Sequence, residues 1–288
     1  EPCHDGKWDI YKYSAAEIAR QMTLIDYFFY FRKIQAGELI GQAWSKSNKE
    51  DLAPNLLSMI RRFNEVSQWV AKVILTGRTQ VARTAFTERF IDIADELFKI
   101  NSFDCVMSIM SAFNSSALHR LKSIWETKNG GISQSSLEKL KKLQNSLSVA
   151  KNMVSYRDMF DTLAPPKIPF MGKYLQDLTF IDDGNQDFLD DEKRYINFDK
   201  RSKLASIISV IQRLQKDAYI FTEIPECIEN LRQVSGFGGD QEATAYSISR
   251  HIESKAGVIT NDISEIDDPK LKSIIQDTPV IARRKTIS

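Results

Sequence analysis

Apolar residues recur at three- and four-residue steps through most of this chain, a period that a packed helix satisfies and a strand does not. In the stretch 55–75, Leu56, Met59, Ile60, Phe63, Val66, Val70 and Val73 fall on one face. Phe86, Phe90, Ile93, Ala94 and Leu97 repeat the pattern in the next stretch, and Leu204, Ile207, Ile208, Ile211 and Leu214 repeat it later. Sustained alternation bounded by hairpin turns is not seen. The pattern predicts an all-α fold.

Local breakers divide the helices. Asn129-Gly130-Gly131 interrupts the middle of the chain, and Ser135 with Glu138 is expected to open the next helix as a capping box. Ala164-Pro165-Pro166-Lys167-Ile168-Pro169 cannot be helical, because proline lacks the N–H donor and forces the residue before it toward extended geometry. A helix is predicted from about Phe170 to Asp182, with Gly184-Asn185 as its left-handed stop. After a charged connector a second helix contains Ile196 to Leu214, so the two should form an antiparallel hairpin spanning about 168–215. Gly236 to Asp240 reads as a turn before a helix over 241–254. Beyond it, 257–288 reads as a loosely ordered tail.

Composition limits the function. The 288 residues carry 39 Lys and Arg against 38 Asp and Glu, a net charge of +1. Nucleic-acid and membrane-surface binders usually show a strong basic bias, so neither is expected. No apolar run approaches the ~20 residues that span a bilayer. Cys3, Cys105 and Cys227 are far apart and fit neither a disulfide framework nor a zinc site. The opening Glu1-Pro2-Cys3-His4 lacks a methionine and a signal peptide, which suggests a cytoplasmic piece of a longer protein.

Bond-making chemistry finds little support. His4, His119 and His251 have no neighbours at metal-ligand or triad spacing. Asp182-Asp183 and Asp190-Asp191-Glu192 read as solvated helix ends rather than metal sites. The glycines at 236–239 do not match a phosphate-binding loop. Arg283 to Thr286 resembles a basophilic kinase site, though so short a match in a polar tail is usually incidental. No metal or cofactor is expected.

The order of short blocks is more informative. Ala16 to Leu24, Glu38-Leu39-Ile40-Gly41 with Trp44, and Asn55-Leu56 with Met59-Ile60-Arg61 come first. Ser111 to Ser116 with His119-Arg120-Leu121 follows. Then come Pro165-Pro166, Ile168 to Gly172, Tyr174-Leu175, Asp177-Leu178, Phe180-Ile181 and Gly184-Asn185, and finally Ile196-Asn197-Phe198 with Lys200-Arg201. Across roughly 13–254 this series resembles the catalytic domain of Ras-family guanine-nucleotide exchange factors, the group that includes Son of sevenless.

The resemblance implies a helical bowl that grips the second switch of a small GTPase and a hairpin that pries the first switch from the nucleotide. Arg61 and Asn114 match positions that hold the second switch and support the hairpin base. Phe170 matches an apolar pocket position, Met153 stands near that pocket where Son of sevenless has a tyrosine, and Lys203 matches a basic contact on the second limb. Asp183 matches the acid aimed at the phosphate-binding loop. Thr179 replaces the apolar residue that helps empty the magnesium site.

The implied partner is a Ras-, Rap- or Ral-type GTPase, bound best without nucleotide, with recruitment to the membrane where the GTPase is anchored. The expected exchange domain is 1–256, and an N-terminal exchanger-motif domain belongs to many full-length members. Two rival readings are an exchange-inactive GTPase-binding module, which the Thr179 departure favours, and an unrelated helical scaffold.

Overall fold

A computed structural model describes residues 9–127, 130–254, 259–260 and 262–263. It is built from α1 (Ala15–Ile25), α2 (Lys49–Leu52), α3 (Pro54–Leu75), α4 (Gln80–Lys99), α5 (Phe103–Asn114), α6 (Ser116–His119) and α7 (Lys122–Trp125). These are followed by α8 (Gln134–Ser146), α9 (Ala150–Thr162), α10 (Met171–Gly184), α11 (Phe198–Leu214), α12 (Pro225–Arg232) and α13 (Gln241–Ile252). Extended pairing among the described residues is limited to isolated bridges. The all-α prediction holds.

The centre is α3 packed on α5, with α4 against both and α1 against α4. The apolar stripes read from the sequence supply this core: Leu56, Met59, Val66 and Val70 from α3 meet Phe90, Ile93, Ala94 and Leu97 from α4, all buried. Trp69 and Phe90 meet edge to face, with ring centroids 5.1 Å apart. Proline opens α3 at its first position, where a missing N–H costs nothing. Buried Glu38 finishes that cap, accepting from the Leu56 N–H at 2.8 Å and from Asn55 Nδ2 at 2.7 Å. Two successive motif blocks, with Glu38 and Leu56 18 residues apart, are thereby joined through one carboxylate.

Helix ends depart from expectation where a short polar segment offered several caps. The residue that opens α8 is Ser133, whose hydroxyl accepts from the Ser136 N–H, and not Ser135; Glu138 instead accepts from Gln134. Gly184 is the last helical residue of α10, and Asn185 leaves it in extended geometry, so no left-handed stop forms there. Asn185 Nδ2 binds the Ile181 carbonyl at 2.9 Å, which satisfies one free helix-end acceptor without a positive φ. The second limb begins at Phe198, capped by Asn197, while Ile196 pairs across the connector with Phe188. Asp240 caps α13 as the turn before it predicts.

Part of the segment expected as a tail lies against the fold. Asp262 bridges to Thr79, the Ile263 N–H donates to the Arg78 carbonyl, and Arg83 reaches the Thr260 carbonyl at 3.1 Å. Arg283 to Thr286 lies outside the described residues, as do Cys3 and His4. Cys105 and Cys227 are buried free thiols. Among the described residues, no helix is long and apolar enough to cross a membrane.

Candidate GTPase-binding site

The segment before α10 is held by its backbone. Ile168 accepts from the Phe103 N–H at 2.9 Å and donates to the Asn101 carbonyl at 2.9 Å, a strand-like bridge that roots the proline-rich run beside the start of α5. Phe170 then precedes the helix, and its ring lies back over Gly172. A Cβ at 172 would come within 2.4 Å of that ring, so only glycine leaves Phe170 where it is. The ring also meets Phe63 of α3, centroids 5.9 Å apart, two residues beyond Arg61.

Met153 and Phe170 line one depression of about 680 Å³, together with Val149, Asn152, Gln176 and Phe180. Met153 is buried and sits at φ +56, the last of three consecutive left-handed residues at the start of α9. Such φ values are uncommon outside glycine and asparagine and tend to occur at functional sites. Val149 and Phe180 are exposed, so the depression has an apolar rim open to solvent.

On α10, half-buried Thr179 returns its hydroxyl to the Leu175 carbonyl at 2.9 Å, leaving its methyl as the group available for contact. One turn later Asp183 is exposed, and its carboxylate accepts from Gln42 Nε2 at 2.7 Å. Its neighbour Asp182 is not a solvated helix end. That carboxylate is buried against Lys200 of α11, at 3.2 Å, and Lys200 also pairs with Asp187 at 3.0 Å and donates to the Asp182 carbonyl. The same lysine holds the Asp187 carboxyl below its ordinary range. One cation thus ties the end of α10, the connector and the start of α11 together. Asp190 accepts from the Arg194 and Tyr195 N–H groups and folds the connector turn.

The remaining expected residues lie at the surface. Arg61 projects from α3, 53% exposed, with Glu50 at 3.1 Å and Ser58 at 3.0 Å. Asn114 ends α5 and is exposed. Lys203 pairs with Asp199 one turn back at 2.6 Å. Beside these, a group of apolar side chains around the α10–α11 connector is exposed: Phe180, Leu189, Tyr195, Ile196 and Phe198.

The family model for the RasGEF domain matches residues 17–202. The chain belongs to the RasGEF domain family. Ras guanine nucleotide exchange factor P of Dictyostelium discoideum is 39% identical over 214 residues, which are 74% of this chain and 14% of that protein. Exchange factor Y of the same organism is 38% identical over 237 residues, 82% of this chain and 15% of the relative. Exchange factor A is 36% identical over 230 residues, 77% of this chain and 37% of the relative. The chain therefore spans well under half the length of the curated relatives it matches.

Several residues that hold this candidate site together were given no role from sequence. Asp104, Tyr156, Gln42 and Lys200 each act through a partner remote in sequence or on another element. Asp104 did leave a local trace, as an acid within the apolar run Phe103 to Met110.

Proposed function

We propose that this domain binds a Ras-family small GTPase and promotes release of its GDP. One observation carries the reading: the apolar depression at Met153 and Phe170 adjoins the helix that bears Thr179 and ends in an exposed acid, Asp183. An apolar side chain from the GTPase's second switch would fill the depression, and burial of one large side chain contributes roughly 1.5–3 kcal/mol. That anchor sets α10 against the nucleotide site. There the Asp183 carboxylate competes with phosphate for backbone N–H groups and repels the nucleotide. The Thr179 methyl would crowd the GTPase's magnesium.

Arg61 and Asn114 would hold the second switch, and Lys203 would meet the GTPase from the second limb. The exposed apolar residues at the connector suit an interface of ~2,000 Å² or more, as in many signalling assemblies. Nothing covalent is required. A factor that binds the nucleotide-free GTPase best weakens nucleotide binding by the factor by which nucleotide weakens its own.

The test is release of a fluorescent GDP analogue from Ras, Rap, Ral and Rho-type GTPases, with Arg61→Glu, Asn114→Ala and Asp183→Ala as comparisons. Acceleration on a Ras-subfamily member that Arg61→Glu and Asn114→Ala abolish supports the reading. Binding to the nucleotide-free GTPase without acceleration would instead identify an exchange-inactive module. Neither binding nor release would overturn the proposal.

A further inference from the structure

Helices α1, α4, α8, α11 and α13 bring their own caps: the side chains of Ser14, Thr79, Ser133, Asn197 and Asp240 each accept a first-turn N–H. Helix α10 does not. It opens at Phe170, whose side chain accepts nothing, and its cap comes from two other helices. The Phe170 N–H donates to the Tyr156 hydroxyl of α9 at 2.9 Å, and the Met171 N–H donates to Asp104 Oδ1 of α5 at 3.0 Å. Both acceptors belong to the core, Tyr156 being 1% and Asp104 4% exposed. Neither side chain can meet a partner at the surface.

The seat matters because the hairpin has few roots. Lys200 fastens the end of α10 to α11, so the two limbs move together. The far end of α11 is rooted by Gln215, whose amide donates to the Phe31 and Ile34 carbonyls. The near end of α10 is rooted by Tyr156 and Asp104. Asp183 stands about 18 Å along the axis from Met171, at ~1.5 Å per residue, so a tilt of about 5° at the seat carries it about 1.5 Å sideways. Misplacement of a reacting group by ~1 Å can cost a factor of about 100 in rate.

We propose that Tyr156 is a positioning residue for exchange, its hydroxyl fixing the direction in which α10 leaves the core, with Asp104 as the second tether of the same seat. The proposal rests on the exchange reading given above. The Phe170 ring has holds of its own, against Phe63 and over Gly172, so the apolar depression outlasts the loss of one tether. The Tyr156 ring packs on Phe103 and Phe160, which phenylalanine at 156 would preserve. Removing the hydroxyl therefore acts on the aim of α10 more than on the anchor.

Three measurements on the full chain test this. The first is hydrogen exchange at the Phe170 and Met171 amides, where Tyr156→Phe should lose roughly ten-fold in protection while core amides of α3 hold theirs. The second is GDP release from a Ras-subfamily GTPase over a range of GTPase concentrations, well below the melting temperature. Tyr156→Phe should lower kcat about ten-fold and leave KM within about two-fold. The third places Tyr156→Phe in an Asp183→Ala background. A positioning role costs little more there, whereas loss of folded protein lowers both backgrounds by one factor. Asp104→Ala should repeat this pattern and Asp104→Asn, which keeps a carbonyl acceptor, should recover most of the loss; this pair serves if Tyr156→Phe does not fold. Unchanged amide protection, an unchanged kcat, or equal losses in the two backgrounds each overturn the proposal. A wild type that releases no GDP from any Ras-, Rap- or Ral-type GTPase sinks the exchange reading, and the positioning role with it, whatever the amides show.

Discussion

Gln42 and Asp183, 141 residues apart, are joined by a hydrogen bond of 2.7 Å from the Gln42 side-chain amide to the carboxylate at the end of α10. Gln42 itself has a left-handed backbone, at φ +51. If Asp183 is the acid that enters the nucleotide site, it must leave Gln42 first. An exposed hydrogen bond to a charged group has a net worth of about 0.5–1 kcal/mol. Gln42→Ala is therefore expected to raise the GDP-release rate by about two- to five-fold with the melting temperature unchanged. A rate lower than wild type would mean that Gln42 positions the acid for its task instead of restraining it.

Arg61 and Arg62 are adjacent in sequence and opposite in environment. Arg61 is exposed and pairs only at the surface, whereas Arg62 is buried against Asp26. Arg61→Glu should abolish binding to nucleotide-free GTPase and change stability by less than about 1 kcal/mol. Arg62→Ala leaves a buried carboxyl without its cation and should cost about 3–5 kcal/mol. Chemical denaturation and a pull-down of both variants separate the two roles.

Lys200 holds α10, the connector and α11 at one point, its side chain only 5% exposed. Removing it strands the buried Asp182 carboxylate. Lys200→Met should destabilise the domain by about 3 kcal/mol and raise amide exchange at the end of α10 before it does so in α3 or α5. Equal protection along α10 in variant and wild type would count against this clamp.

Gly172→Ala sets a methyl group against the Phe170 ring. The ring must move, and overpacking of this kind costs typically about 1–3 kcal/mol. Loss of the depression should weaken GTPase binding more than the stability change alone accounts for, which titration calorimetry against the nucleotide-free GTPase would detect.

Stability should depend on pH with a definite sign. Burial raises the carboxyls of both Asp26 and Asp104 in the folded state, Asp104 to about 8. Over the range between the unfolded value of ~4 and that value, the folded protein binds more protons than the unfolded chain. Stability therefore falls as pH rises through this window and levels off above it. Asp104→Asn should flatten the slope and be the more stable protein near pH 8, by up to a few kcal/mol, as denaturant titrations at several pH values would reveal. A slope equal to that of wild type would show that Asp104 is ionised throughout.

The fold class was legible because the helical period is a local property. Leu56, Met59, Val66 and Val70 face the core for the same reason that they lie on one stripe. The break at Pro165 to Pro169 was equally legible, since proline forbids a helix whatever surrounds it. So was the surface placement of Arg61 and Asp183, through the order of the family's blocks. The details at helix ends were not. Ser133 and Ser135 are both competent caps, and only the neighbouring Glu88, which accepts from the Ser133 N–H at 2.7 Å, distinguishes them. Gly184 could have turned left-handed, but the Asn185 amide had already satisfied the helix end.

What the tertiary structure alone decided is which polar groups became buried partners. Asp182 reads as half of a solvated acidic pair until α11 brings Lys200 over it. Asp104 reads as one acid in an apolar helix until α10 presents an unsatisfied N–H from 67 residues away. A side chain's periodicity and propensity are set by its near neighbours in the chain, so sequence suffices for them. Its desolvation, its charge state and its hydrogen-bond partner are set by groups that only folding brings within 3 Å or so, and these decide how the site is held.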